Sequence, residues 1–156
     1  MRFVGLLRPE LVVLDPPWHG FRDTIEGLTA AVVGVGAMPA ASAPDAVRAV
    51  VARERESSTA VLDIDVGLPH ARLDGLPRSV GALAVSAAGL YEPVPTVPIH
   101  IVALVLSPTA ATDDHLRLLA SVATLLRSAP LRREMLHAHG ADEVLAALRR
   151  HGRSAP

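Results

Sequence analysis

Cysteine is absent from the 156 residues. Disulfides, thiol nucleophiles and thiolate metal sites are therefore excluded. Lysine is absent too, and all fifteen basic residues are arginine. That removes Schiff-base chemistry and the lysine of Walker-type phosphate loops. The bias itself fits arginine codons in a GC-rich genome. Aromatic residues make up only 3% of the chain, against 50% apolar overall. A core must therefore be packed mainly from Val, Leu, Ile and Ala. Formal net charge is −1 and no basic run stands out. The clustered positive face that neutralises nucleic-acid phosphates is missing, so no nucleic-acid partner is expected. No apolar stretch reaches the roughly 18 residues that span a bilayer. The longest, Ala30 to Ala41, is cut by Gly34, Gly36 and Pro39. Arg8 interrupts the apolar run Phe3 to Leu7, which argues against a signal peptide. A cytoplasmic soluble protein is expected, with one domain over residues 1–150 and a short tail over 151–156.

Periodicity supplies the elements. Phe21, Ile25, Leu28 and Val32 recur at helical spacing, and Gly34 and Gly36 end that helix. Ser42-Ala43-Pro44-Asp45 reads as a second start, with Ser42 as N-cap and Pro44 in the first turn. Val47, Val50 and Val51 give this helix its buried face. Three strands are expected next: an alternating run from Ala60 to Val66, the small apolar run Val80 to Ser86, and Ile99 to Leu106. The last is apolar almost throughout, as in a central strand covered on both faces. Thr112-Asp113-Asp114 opens a long helix whose expected stripe is Leu116, Leu119, Val122, Ala123 and Leu126. Pro130 starts a shorter helix, Gly140 breaks it, and Ala141 to Arg150 closes the chain. With short strands near Phe3 to Leu7 and Leu11 to Leu14, the pattern is α/β: a small, mixed, mostly parallel sheet flanked by helices.

Of seven histidines, His70 stands out. Gly67-Leu68-Pro69-His70-Ala71-Arg72 lies just past a strand. Pro69 fixes its own φ and pushes Leu68 toward extended geometry. The imidazole is thereby presented in a constrained direction. Neutral imidazole is nucleophilic near pH 7 without a strong base. His115 sits in the first turn of the helix after the central strand. Ligands gather beyond strand ends and at helix N-termini, so two histidines from such places can face one another.

The ordered set Arg53-Glu54, Ser58-Thr59 and Gly67-Leu68-Pro69-His70-Ala71-Arg72 resembles a signature of the enzyme IIA domains of fructose/mannitol-type and nitrogen-type phosphotransferase systems. Pro98 to Leu106, Pro108, His115-Leu116, Leu131-Arg132-Arg133 and Asp142-Glu143-Val144 follow in the family's order, so the resemblance runs from about Leu6 to Leu148. It implies that fold, a phosphoryl group carried on His70, His115 beside it, and Arg53 holding the anion. Arg55, two residues away and equally charged, rivals Arg53. Arg55, Ser58, Thr59 and Arg72 are the further phosphate-binding candidates. The resemblance implies no metal and no bound cofactor. The implied donor is a histidine-containing phosphocarrier protein. The implied acceptor is a sugar transporter domain or a regulatory target, with the membrane reached only through a transporter. Charge supports arginine as the main stabiliser. Phosphorylation adds about two negative charges. One arginine about 4 Å away contributes about 4 kcal/mol per unit charge at an effective dielectric near 20. A helix N-terminus adds about 0.3–1 kcal/mol.

The stretch Ala60 to Asp65 departs from the family's glycine-rich link, and Asp63 or Asp65 beside the site would repel a phosphate. The segment Ala87 to Val97 is short. These departures motivate an alternative: a non-catalytic regulatory module of the same fold, binding a transporter or kinase. Other motifs carry less. Gly34-Val35-Gly36 fails as a dinucleotide loop because Pro39 occupies the third glycine position. His137 and His139 are two apart and face different sides of a helix. His100 reads as a satisfied strand histidine, and Trp18-His19 as a structural turn.

Overall fold

A computed structural model describes residues 2–154. Residues 1, 155 and 156, the outermost parts of the expected loose ends, lie outside the described residues. The strands are β1 (Val12–Leu14), β2 (Ala60–Val61), β3 (Val66–Gly67), β4 (His70–Leu73), β5 (Val80–Val85), β6 (Tyr91–Val94), β7 (Val97–Ile99) and β8 (Ile101–Pro108). The helices are α1 (Phe21–Gly34), α2 (Ala43–Glu56), α3 (Thr112–Leu126), α4 (Ala129–His137) and α5 (Ala141–Ser154). One six-stranded mixed sheet runs in the order β1-β5-β8-β3-β2, with β4 also on β8. β1 lies parallel to β5, β3 and β4 lie parallel to β8, and β5 runs antiparallel to β8. α1 and α2 pack together over β5 and β4, while α3 and α5 cover β8 and β1. This is the expected α/β architecture.

β8 is the spine. Ile101 to Ser107 are all buried, which suits a strand with helices on both sides. α1 buries Ile25, Leu28 and Val32, and Trp18 lies flat on the gap left by Gly27, whose missing Cβ makes room for the indole. Among the described residues no helix is long and apolar enough to cross a membrane.

Several local expectations are corrected. Ser42 makes no side-chain cap; it closes a 3-10 turn, Ala40–Ser42, and its backbone is already helical. The run Ala60 to Val66 is a tight antiparallel hairpin, with Ala60 opposite Gly67 and Val61 opposite Val66. Asp65 turns the chain at φ 56°, a conformation its short polar side chain tolerates, and its carbonyl accepts from His100 and Ile101 N–H. Phe3–Leu6 is a 3-10 turn instead of a strand. β8 begins at Ile101, because His100 separates it from β7. The inward stripe of α3 is His115, Leu118, Val122, Leu125 and Leu126, and Leu116 is 60% exposed. α5 runs four residues past its expected end at Arg150, to Ser154.

Candidate functional site

β3 and β4 share one register against β8: Gly67 faces Val102 and His70 faces Val105. They are one strand line interrupted at Leu68-Pro69. Proline has no N–H to give to a ladder, so pairing lapses there. The Pro69 carbonyl still accepts from Val105 N–H at 3.1 Å. The Leu68 carbonyl instead lies 2.8 Å from Nδ1 of His70. A carbonyl oxygen only accepts, so Nδ1 carries the hydrogen in the neutral ring. The Nε2 lone pair is left available on a half-buried imidazole.

His115 is in the first turn of α3 and is buried, with a relative exposure of 6%. Its Nδ1 is 2.9 Å from the Ser107 hydroxyl. The two imidazole centroids are 5.4 Å apart and the rings are tilted by 56°. Burial lowers the proton affinity of His115 below that of an ordinary histidine, and the charges of His70 and Arg72 lower it further. Both effects favour the neutral ring over the imidazolium.

Both histidines open on a surface hollow of about 530 Å³. Arg53, Glu56, Arg72, Thr109 and Thr112 complete its polar lining. Arg53 stands in the last turn of α2 and donates to the Ser57 carbonyl at 3.1 Å, which closes that helix. Arg72, on β4, donates to the Thr112 hydroxyl at 2.8 Å and so ties the strand to the start of α3. Two arginines thus line the same hollow as the imidazole pair, each with several N–H groups beyond the one engaged.

Arg55, Ser58 and Thr59 are not brought to this hollow. Arg55 is two residues beyond Arg53, about 200° around the helix. With Ser58 it lines a separate depression beside Phe21 and Tyr91. The Ser58 hydroxyl, the Thr59 hydroxyl and the Thr59 N–H all donate to the Glu54 carboxylate. Asp63 and Asp65 are also remote. The hairpin they turn meets β8 at Ile101, whereas His70 pairs four residues further on, at Val105. At the usual strand rise that is about 13 Å. His100 is held by the Ser86 carbonyl at 2.9 Å, and His137 bonds its own helix at the Arg133 carbonyl.

Sequence reasoning missed four contributors to the hollow: Glu56, Thr109, Thr112 as a polar contact, and Leu116 as an exposed rim. Thr112 had a signal, since it lies three residues before His115 on the same helix face.

Comparison with known proteins bears on this arrangement. The family described as "Phosphoenolpyruvate-dependent sugar phosphotransferase system, EIIA 2" matches residues 5–151. The fructose-specific EIIA component of the phosphotransferase system in Haloferax volcanii is 29% identical over 136 residues, which span 86% of each chain. A nitrogen regulatory protein of Pseudomonas aeruginosa is 31% identical over 96 residues, 61% of this chain and 62% of that one. The crystal structure of the nitrogen regulatory protein IIA-Ntr from Neisseria meningitidis has a TM-score of 0.79 at 25% identity, covering 93% of this chain and 97% of that one. With the family's pattern running through nearly all of its length and the same fold around it, this chain belongs to the enzyme IIA family of the fructose/mannitol and nitrogen-regulatory type.

Proposed function

We propose that this protein is a phosphocarrier that takes a phosphoryl group onto Nε2 of His70 and hands it on. The observation that carries the reading is the 2.8 Å contact between His70 Nδ1 and the Leu68 carbonyl, which leaves Nε2 as the ring's nucleophile. The donor is a phosphohistidine of a histidine-containing carrier protein. As the Nε2–phosphorus bond forms, the nitrogen–phosphorus bond of the donor breaks, and its electron pair returns to the donor imidazole. Nothing is oxidised or reduced. The transition state of such a transfer is loose, so the protein's task is positioning and charge neutralisation. Arg53 and Arg72 answer the new anion, and His115 stands beside it. The acceptor is a transporter domain or a regulatory target, and the setting is the cytoplasm. The position of Asp63 and Asp65 away from the hollow supports this reading.

Likeness to nitrogen regulatory proteins favours a second reading, in which the phosphorylation state of His70 is itself the signal and no sugar is involved. Incubation with phosphoenolpyruvate, enzyme I and the carrier protein, followed by intact mass, tests phosphorylation. Wild type gains one acid-labile phosphoryl group and a His70→Ala variant gains none. Equal labelling of the two, or no labelling at all, defeats the phosphocarrier reading. Binding to a transporter or kinase that is indifferent to His70 favours the non-catalytic module instead.

A further inference from the structure

Two buried hydroxyls behind the site have no part in the mechanism above. Ser107 ends an otherwise apolar run on β8 and is fully buried. Ser79 immediately precedes β5 and is 8% exposed. The antiparallel register, with Val80 opposite Leu106, sets these serines across from one another. A hydroxyl left unpaired in such a place costs about 1–3 kcal/mol, so its partners must be accounted for.

One arrangement gives both hydroxyl hydrogens an acceptor. Among the described residues the Ser107 hydroxyl has two partners, Ser79 Oγ at 3.2 Å and His115 Nδ1 at 2.9 Å. The Ser79 hydroxyl donates to Ser107 Oγ. The proton of Ser107 then has one acceptor left, the Nδ1 lone pair of His115. If Nδ1 carried the hydrogen instead, the chain would reverse, His115 to Ser107 and Ser107 to Ser79, and the Ser79 proton would be left with no acceptor among the described residues. A neutral ring that accepts at Nδ1 holds its hydrogen on Nε2.

We infer that Ser107, held by Ser79, is a positioning residue that sets His115 in the Nε2–H tautomer, opposite to His70, so that a hydrogen-bond donor faces the site beside a bare nucleophilic nitrogen. A serine hydroxyl behind one ring and a backbone carbonyl behind the other impose the opposite assignments. Burial and neighbouring positive charge favour the neutral ring of His115, and in that ring the tautomer decides which nitrogen donates. The donor role toward a phosphoryl group rests on the phosphocarrier reading; the tautomer assignment does not.

The test is long-range 1H–15N correlation of the imidazole nitrogens in the unphosphorylated full chain at pH 7.5. In wild type, His115 shows an unprotonated Nδ1 and a protonated Nε2, and His70 shows the reverse. Ser107→Ala shifts His115 toward a mixture or the Nδ1–H form, Ser107→Thr restores the wild-type pattern, and His70 is unchanged in both. Alongside, Ser107→Ala lowers the rate of phosphoryl gain at His70 about tenfold, a change of about 1.4 kcal/mol in barrier. A protonated Nδ1 on His115 in wild type overturns the inference without any variant. So does a Ser107→Ala protein that keeps the wild-type tautomer. If both tautomers are as assigned but no phosphoryl group is gained, the phosphocarrier reading fails and the tautomer assignment stands.

Discussion

A guanidinium in this site is defined by what already holds it. Arg72 leans on the Thr112 hydroxyl and Arg53 on the Ser57 carbonyl, so each is oriented before any anion arrives. Hydrogen bonds to charged groups are worth about 1.5–3 kcal/mol, or about 10- to 150-fold in rate. Arg53→Ala and Arg72→Ala should each slow phosphorylation of His70 by about that factor in a stopped assay with the carrier protein. Arg55→Ala should change it less than about twofold, because its side chain lines a different depression. Equal losses for Arg53 and Arg55 would mean the hollow has been wrongly bounded. That His70, His115 and Arg53 meet in one hollow was legible from motif order. The division between Arg53 and Arg55 was not, because only the rotation of α2 decides it. Ser58 and Thr59 were misleading for a related reason: a hydroxyl's partner is chosen in three dimensions, and here Glu54 takes both.

Elements were legible where one period governed the run. α1 was read to within a residue because Ile25, Leu28 and Val32 share a face and glycines follow. α3 was read one residue out of phase. His115 occupies an inward position, and a scan that counts only apolar residues passes over it and adopts Leu116. The hairpin of β2 and β3 was read as one strand because alternation alone does not reveal a turn at Asp65. That hairpin also constrains Gly67. The Tyr91 hydroxyl lies where a Cβ on Gly67 would project, while the Tyr91 ring packs edge-on against Phe21 at 5.1 Å. Gly67→Ala must displace the tyrosine, and overpacking of this kind costs about 1–3 kcal/mol. Chemical denaturation should register that loss, and Tyr91→Phe should not relieve it fully, since the ring remains. A Gly67→Ala protein as stable as wild type would show that the tyrosine moves freely.

At the scale of the molecule, the two closing helices are tied by charge. Glu134 on α4 accepts from Arg150 at 2.6 Å and from His151 at 3.1 Å, both on α5. The Arg150 hydrogen bond first, then that of His151, lowers the carboxyl from 4.5 to about 2. The unfolded chain therefore takes up this proton before the folded one does. The clamp's contribution is complete above pH 4.5 and is lost as pH falls toward about 2. Glu134→Gln should lower the melting temperature at pH 7, and the gap to wild type should close between pH 4.5 and pH 2. A gap that stays constant across that range would assign the difference to packing instead of charge. The α/β class and the family order were legible across the whole chain. The clamp was not, because Glu134 and its partners are separated by a glycine break and a turn.

The central strand carries a further consequence. His70 is registered against Val105, and Ser107, two residues along, backs His115. Both reactive rings are thus referenced to a single rigid member sealed within the core. Their spacing is set by the register of β4 on β8 and by the one hydrogen bond behind His115. On the phosphocarrier reading, control then falls to the proteins that dock on this patch, and its occupancy is the switch.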